Sequence, residues 1–261
     1  TNFILSKMET EGAAYDDVLR EAQELGFAEA DPTADVGGFD AQAKLSILIN
    51  EAFGAEIPED EIATNGITEV SDVDFKYAKS LNSTIKLLAV AEAKEGKLTA
   101  FVSPVLVSNE NQLAKVGGAT NAISIQSEYL GETTLVGQGA GRFPTANAVV
   151  SDILAISNNK IDQPFSKENP SVEKVDDFSS QFYVRFKIKD GTGIVETIGR
   201  VCKEQGISIH SISQLPIGDP ENLPFILTTE IASQSSVQKM CSKLSKEDFC
   251  IEKPFFIPIL K

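Results

Sequence analysis

The stretch FYVRFKIKDGTGIVETIGRVCKEQGISIHSISQ, residues 182–214, reads as strand, turn, helix and strand in one unbroken run. Phe182–Lys189 is rich in aromatic and β-branched residues, as strands are. Asp190, Gly191, Thr192 and Gly193 form a turn. Over Ile194–Gln205 the residues Ile194, Val195, Ile198, Val201 and Cys202 recur at helical spacing and make one apolar stripe. Ile207–Gln214 returns to strand. Working outward, Phe225–Ile231 reads as strand, Ser235–Leu244 as helix and Phe249–Ile257 as strand. The order βαββαβ is the split-βαβ, ferredoxin-like arrangement.

Before this unit, Asn158–Ser180 is polar, contains two prolines and has no period. It reads as a linker over 158–180, dividing the chain into 1–157 and 181–261. A length of 261 residues suits two ordinary domains. The first part is predicted as helix and then sheet. Val18, Leu19, Ala22 and Leu25 share a helical face, Gly26 stops that helix, and a polar loop runs from Phe27 to Gly38. A second helix is expected over Phe39–Phe53, closed by Gly54. After Asn65 the pattern turns to strands. Ile85–Ala93 and Leu98–Ser108 form a hairpin around Lys94–Lys97, and Ala122–Tyr129 pairs with Thr133–Gly137 around Gly131. Pro144–Ile156 reads as helix. The fold class is therefore α+β: a mixed or antiparallel sheet covered by helices, followed by the ferredoxin-like unit.

The net charge is −15. Residues 1–160 hold 24 Asp/Glu against 11 Lys/Arg, so the acidity is concentrated there. A basic footprint is what phosphate backbones and anionic membrane surfaces require, so no nucleic-acid or membrane partner is expected. No apolar run is long enough to span a bilayer. The three cysteines (Cys202, Cys241 and Cys250) include no CxxC pair and read as free, buried thiols in a reducing compartment. His210 is the only histidine, so histidine triads and multi-histidine metal sites are not supported, and no metal is expected. His210 reads as a structural strand residue. The chain opens at Thr1 inside an apolar helical run (Phe3, Ile4, Leu5, Met8). A further N-terminal piece is expected upstream, and with it any targeting segment. The expected location is cytoplasmic, with organellar targeting left open.

Chemistry concentrates in GFAEADPTADVGGFDAQAK, residues 26–44. Asp40 and Lys44 stand at i,i+4 on one helical face. A protonated lysine held by a carboxylate can donate a proton to an oxygen gaining negative charge. Glu29 and Asp35 on the preceding loop could bind a substrate ammonium group. Taken alone, the pair also reads as an ordinary surface contact. Further on, Gly137, Gly139 and Gly141 sit between strand and helix. They fall one residue short of the usual dinucleotide fingerprint, and no acidic residue ending a parallel strand follows. They read as a loop permitting close backbone approach.

The run from Phe27 to Lys44 resembles the substrate-domain signature of homoserine dehydrogenases, an aromatic-Ala-Glu-x-Asp-Pro-Thr-x-Asp-Val-x-Gly-x-Asp-x-x-x-Lys pattern. Thr1-Asn2-Phe3-Ile4-Leu5, Ile85-Lys86-Leu87-Leu88-Ala89 and the Gly137–Thr145 loop match further family segments in order. The resemblance covers residues 1–157. It implies interconversion of L-aspartate 4-semialdehyde and L-homoserine with NAD(P), in threonine and methionine biosynthesis. Lys44 and Asp40 would be catalytic, Glu29 and Asp35 substrate-binding, and Gly139 and Gly141 cofactor-facing. The family's nucleotide-binding domain lies before the Thr1 segment and would bind most of the cofactor, so this chain alone is expected to be inactive. The 181–261 unit resembles an ACT domain, with Thr192 where the pattern has proline. That resemblance implies L-threonine as effector, with Asp190 and Gly193 as ligand-contacting candidates at a helix N-terminus. A homodimer or higher oligomer is implied. The competing reading is a non-catalytic amino-acid-sensing or dimerisation protein built on the same two parts.

Overall fold

The computed structural model describes residues 1–139, 141–158, 172–214 and 221–260. Residues 159–171 of the expected linker lie outside the described residues. In chain order the elements begin with α1 (Asn2–Glu11), α2 (Tyr15–Glu24), α3 (Thr33–Val36) and α4 (Phe39–Phe53). Next come β1 (Ala63–Thr64), α5 (Asp72–Ser80), β2 (Ser83–Lys94) and β3 (Lys97–Ser108), then β4 (Thr120–Ser127), β5 (Gly131–Gln138) and α6 (Arg142–Ser157). The chain ends with β6 (Glu173–Lys174), β7 (Ser179–Ile188), α7 (Ile194–Glu204), β8 (Ile209–Ser213), β9 (Leu223–Thr229), β10 (Ala232–Ser233), α8 (Gln234–Leu244) and β11 (Phe255–Leu260).

Most of the expected elements are present. The β2–β3 hairpin turns at Glu95 and Gly96, both at positive φ. The β4–β5 hairpin turns through Ser127–Gly131. The C-terminal strands lie in the order β11-β7-β9-β8, all antiparallel, with α7 and α8 between them in sequence. Four details differ from the sequence reading. The loop over 27–38 contains the single turn α3. Residues 72–80 form α5, where strand was expected. The last strand is 255–260 rather than 249–257; before it only Cys250 makes an isolated bridge, to Ile188. Leu25 and Val195, placed on apolar faces, are exposed.

The two parts share one sheet. β2 takes one edge of β3 along its whole length. The other edge is shared end to end by β6, β1 and β11, all parallel to β3. β11 thus carries the sheet from the first part into the second. Side chains alternate across β7, as the two-residue period of a strand requires. Phe182, Val184, Phe186 and Ile188 bury against Ile198, Val201, Val237 and Met240 of α7 and α8. Tyr183 faces the other way, into a core with Ile4, Leu5 and Met8 of α1 and Phe75, Tyr77 and Ala78 of α5. The C-terminal sheet is therefore a middle layer between its own two helices and helices from the N-terminal part.

A buried polar cluster lies at that seam. Asp74 is fully buried on α5. It accepts hydrogen bonds from the Tyr183 hydroxyl at 2.8 Å, the Ser71 amide at 2.8 Å, the Ser71 hydroxyl at 3.0 Å, and the Arg185 guanidinium. Burial, with the Asp74 carboxylate next, holds the Tyr183 phenol well above its usual range. The stretch before β7 is anchored as well. Phe178 stacks on Phe101 of β3 at 4.0 Å between centroids, and Asp177 accepts from the Ser235 amide and hydroxyl at the start of α8.

Candidate active site

The segment carrying the candidate chemistry is fixed by close backbone packing. Ile67 donates its amide to the Val36 carbonyl at 2.8 Å, and Asn65 donates to Val102 of β3 at 2.8 Å. Gly66 sits so tightly that a Cβ there would fall 2.2 Å from the Val36 oxygen. Gly38 has φ +83°, and a Cβ would meet Thr64 and Val102 methyls at 3.2 Å. These glycines let the loop lie flat on β1 and β3, and Gly38 turns the chain into α4.

On α4, Gln42, Leu45 and Ile49 face inward, a three- and four-residue spacing that makes one buried stripe. Gln42 donates to the Ile62 carbonyl at 2.8 Å and Ser46 to the Ile57 carbonyl at 2.5 Å. With that face pinned, Asp40 and Lys44 are turned outward as an ion pair at 2.5 Å, with 53% and 60% of their side chains exposed. An exposed i,i+4 pair contributes only about 0.3–0.5 kcal/mol to a fold. The pair is therefore no packing element of the fold.

Asp35 lies in α3, directly before α4. Its carbonyl accepts the Thr1 hydroxyl at 2.8 Å, which ties the start of α1 to this loop. Glu29 is exposed on the same loop, whose backbone is held by Gln23 through the Glu29 and Ala30 carbonyls. No hydrogen bond or ion pair among the described residues joins the Glu29 carboxylate to Asp40 or Lys44. Asp31 caps the α3 turn by accepting from the amide and hydroxyl of Thr33.

Gly139 follows β5 and packs on Asn121, whose side chain occupies the space a Cβ would take. Gly141 has φ +115° and opens α6. Ala140 between them lies outside the described residues. The α6 helix buries none of its described side chains against this chain; Phe143, Val149, Val150, Ile153 and Leu154 are all exposed.

At the other end, Asp190 and Gly193 border an open pocket of about 510 Å³, with Lys189, Thr192, Thr197 and Arg200. Gly193 is left-handed at φ +84° and starts α7, and Asp190 accepts the Gly191 amide at 2.9 Å. Cys202 and Cys241 are buried and Cys250 is half-buried, all three as free thiols. His210 pairs with Glu230 at 2.8 Å on β8 and is half exposed. Among the described residues, no His/Cys/Asp/Glu group could hold a metal ion and no helix is long and apolar enough to cross a membrane.

Sequence reading passed over the Asp74–Arg185 cluster and the buried Lys86. Signals for both were present. Ser71-x-x-Asp74 has capping-box spacing, and Lys86 is a lone charge inside an apolar strand.

A model of the homoserine dehydrogenase family matches residues 1–154. Homoserine dehydrogenase of Bacillus subtilis is 35% identical over 254 residues, covering 94% of this chain and 58% of the relative. The Synechocystis enzyme is also 35% identical, covering all of this chain and 63% of the relative. The crystal structure of a homoserine dehydrogenase from Thiobacillus denitrificans superposes with a TM-score of 0.88 at 32% identity, over all of this chain and 62% of that one. A putative homoserine dehydrogenase from Archaeoglobus fulgidus, 39% identical, matches 59% of this chain with a TM-score of 0.53. The chain spans about three fifths of the length of the curated relatives it matches. On sequence and structure together, the chain belongs to the homoserine dehydrogenase family.

Proposed function

We propose that this chain supplies the substrate-binding and proton-transfer part of an enzyme that interconverts L-aspartate 4-semialdehyde and L-homoserine. The observation that carries this reading is the outward-facing Asp40–Lys44 pair on a helix whose opposite face is pinned by Gln42, Leu45 and Ile49. In the reducing direction the aldehyde oxygen becomes an alkoxide, and the Lys44 ammonium gives it a proton. Asp40 holds that ammonium in place and contacts substrate. Glu29 takes the substrate's ammonium group, with Asp35 beside it as a further carboxylate. NAD(P), when bound, exchanges the hydride. The glycine positions suit such a flat group, because neither Gly137 nor Gly141 presents a side chain, and Gly139 has room for none. Most of the cofactor contact would come from a further segment of the kind the relatives' extra length provides, leaving this chain inactive by itself. The bare α6 helix fits a surface that another segment or subunit covers, in keeping with a homodimer or larger assembly.

The C-terminal βαββαβ unit, 181–261, is read as an ACT-type regulatory module, and 1–157 as the catalytic part. The pocket at Asp190 and Gly193 is the place for an amino-acid effector, L-threonine in the first instance, with α7 amides facing its carboxylate. The acting compartment is read as cytoplasmic.

The test is turnover of L-homoserine with NAD⁺ or NADP⁺ by the full-length protein and its Lys44→Ala variant. Loss of a positioned proton donor removes about 10²–10⁴-fold of rate. The fold should be intact, since Lys44 is exposed. Near-normal activity of the variant would refute the assignment. An inactive wild type would favour the non-catalytic sensing reading. Calorimetric titration with L-threonine tests the regulatory part separately.

A further inference from the structure

Lys86 is the fourth of the twelve residues of β2, where burial leaves it 6% exposed. Its ammonium donates to the Val116 carbonyl at 2.8 Å. Burial lowers its pKa, with the nearby Glu9 acting in the opposite sense. A buried ammonium is costly, and methionine would fill the same volume with no desolvation cost. A position serving packing alone would be better filled by methionine.

The segment that Lys86 holds is tied from a second side. Asn2 of α1 directs its side-chain amide at the carbonyls of Val116, Gly118 and Thr120, at 3.3, 3.2 and 3.0 Å. Ser6 accepts the Gly118 amide at 3.3 Å. Residues 116–120 therefore hang between β2 and α1. They lead directly into β4, where Thr120 pairs with Gln138 and Asn121 with Gly137. Asn121 is also the residue against which Gly139 packs. The β4–β5 hairpin is exposed along most of its length, so its foot sets its direction. That same α1 terminus carries Thr1, whose hydroxyl donates to the Asp35 carbonyl on the loop that leads into Asp40 and Lys44.

We propose that Lys86 is a positioning residue for the glycine loop: by clamping 116–120 between β2 and α1, it sets where Gly137 and Gly139 stand relative to Lys44, and hence the fit of the nicotinamide cofactor. This rests on the oxidoreductase reading above.

The experiment compares Lys86→Met and Lys86→Arg in the full-length protein by hydrogen exchange and by steady-state kinetics. In Lys86→Met, amide exchange over 116–121 and 137–139 should rise about tenfold while peptides from α7 and β9 are unchanged. The KM for the nicotinamide cofactor should rise about tenfold with kcat within about twofold, because the loop contacts the cofactor alike in ground and transition states, and losing such a contact removes uniform binding. Lys86→Arg should restore most of both. If Lys86→Met is insoluble, Asn2→Ala removes the side-chain amide whose two N–H groups are shared among three carbonyls of the same segment, and should give the same split. Exchange that is unchanged at 116–121, or raised equally everywhere, overturns the proposal. So does an unchanged cofactor KM in a variant whose wild type turns over homoserine. A wild type without turnover overturns instead the reading on which the proposal rests.

Discussion

Replacing Arg185 by methionine tests the seam between the two parts of the chain. Arg185 lies on β7 and Asp74 on α5, 111 residues apart in sequence. The arginine side chain is 13% exposed and the carboxylate not at all. Arg185→Met fills similar volume and leaves a buried carboxylate without its cation. Removing one partner of a buried pair costs about 3–5 kcal/mol. Asp74 keeps three donors, from Tyr183 and both polar groups of Ser71, so the lower end of that range, about 3 kcal/mol, is expected. Part of the loss comes from the Phe255 ring, which the guanidinium covers at 4.8 Å from its centroid. The double variant Asp74→Asn with Arg185→Met should recover much of the penalty, because the orphaned charge is gone. Urea unfolding followed by circular dichroism gives each value. Tryptophan is absent, so tyrosine fluorescence serves as the second probe. Because the network and β11 join the parts, both probes should report one transition. A loss below about 1 kcal/mol for Arg185→Met, or additive single-variant losses, would refute a coupled buried cluster.

Other outcomes follow from single positions. Gly38→Ala places a Cβ at φ +83° and 3.2 Å from two methyls, so thermal unfolding should show a loss of about 1–3 kcal/mol. Asp177→Ala removes two bonds to Ser235 at the start of α8 and should cost about 1 kcal/mol in the same assay. Burial pushes the Cys241 thiol up to about 12 and Cys202 up to about 11. At pH 8, iodoacetamide with mass spectrometry should label Cys250 first and reach the other two only in denaturant. The same shifts make stability fall as pH rises from about 9 toward 12, because the unfolded thiols ionise first and the unfolded chain then binds fewer protons. Urea midpoints across that range, compared with a Cys241→Ala variant, isolate the contribution; a flat difference would contradict it.

The short-range features were legible in sequence. The β2–β3 and β4–β5 hairpins announce themselves by turn residues between apolar strands, and α4 by its stripe and its flanking glycines. The Asp40–Lys44 pairing follows from helical spacing alone. By contrast, α5 was obscured. Its Val73, Phe75 and Tyr77 alternate as in a strand, yet the Ser71–Asp74 capping box starts a helix and the packing on β2 keeps it. The 158–180 boundary was read from polarity, and composition could not reveal that its described end is fastened by Phe178 on Phe101 and Asp177 on α8.

Sequence by itself determined the identity of most elements, the βαββαβ order of the last eighty residues, and the i,i+4 spacing of Asp40 and Lys44, while the roles of the site residues came from the family resemblance. Each of these patterns depends on neighbours within a few positions, through helical or strand periodicity and turn chemistry. Tertiary structure decided how the parts join and which faces remain open. The parallel pairing of β11 on β3, the Asp74–Arg185 cluster and the clamp of Lys86 on Val116 bring together residues from 30 to 153 positions apart. Such contacts are selected by three-dimensional packing and the need to satisfy buried polar groups, and no local pattern encodes their partners.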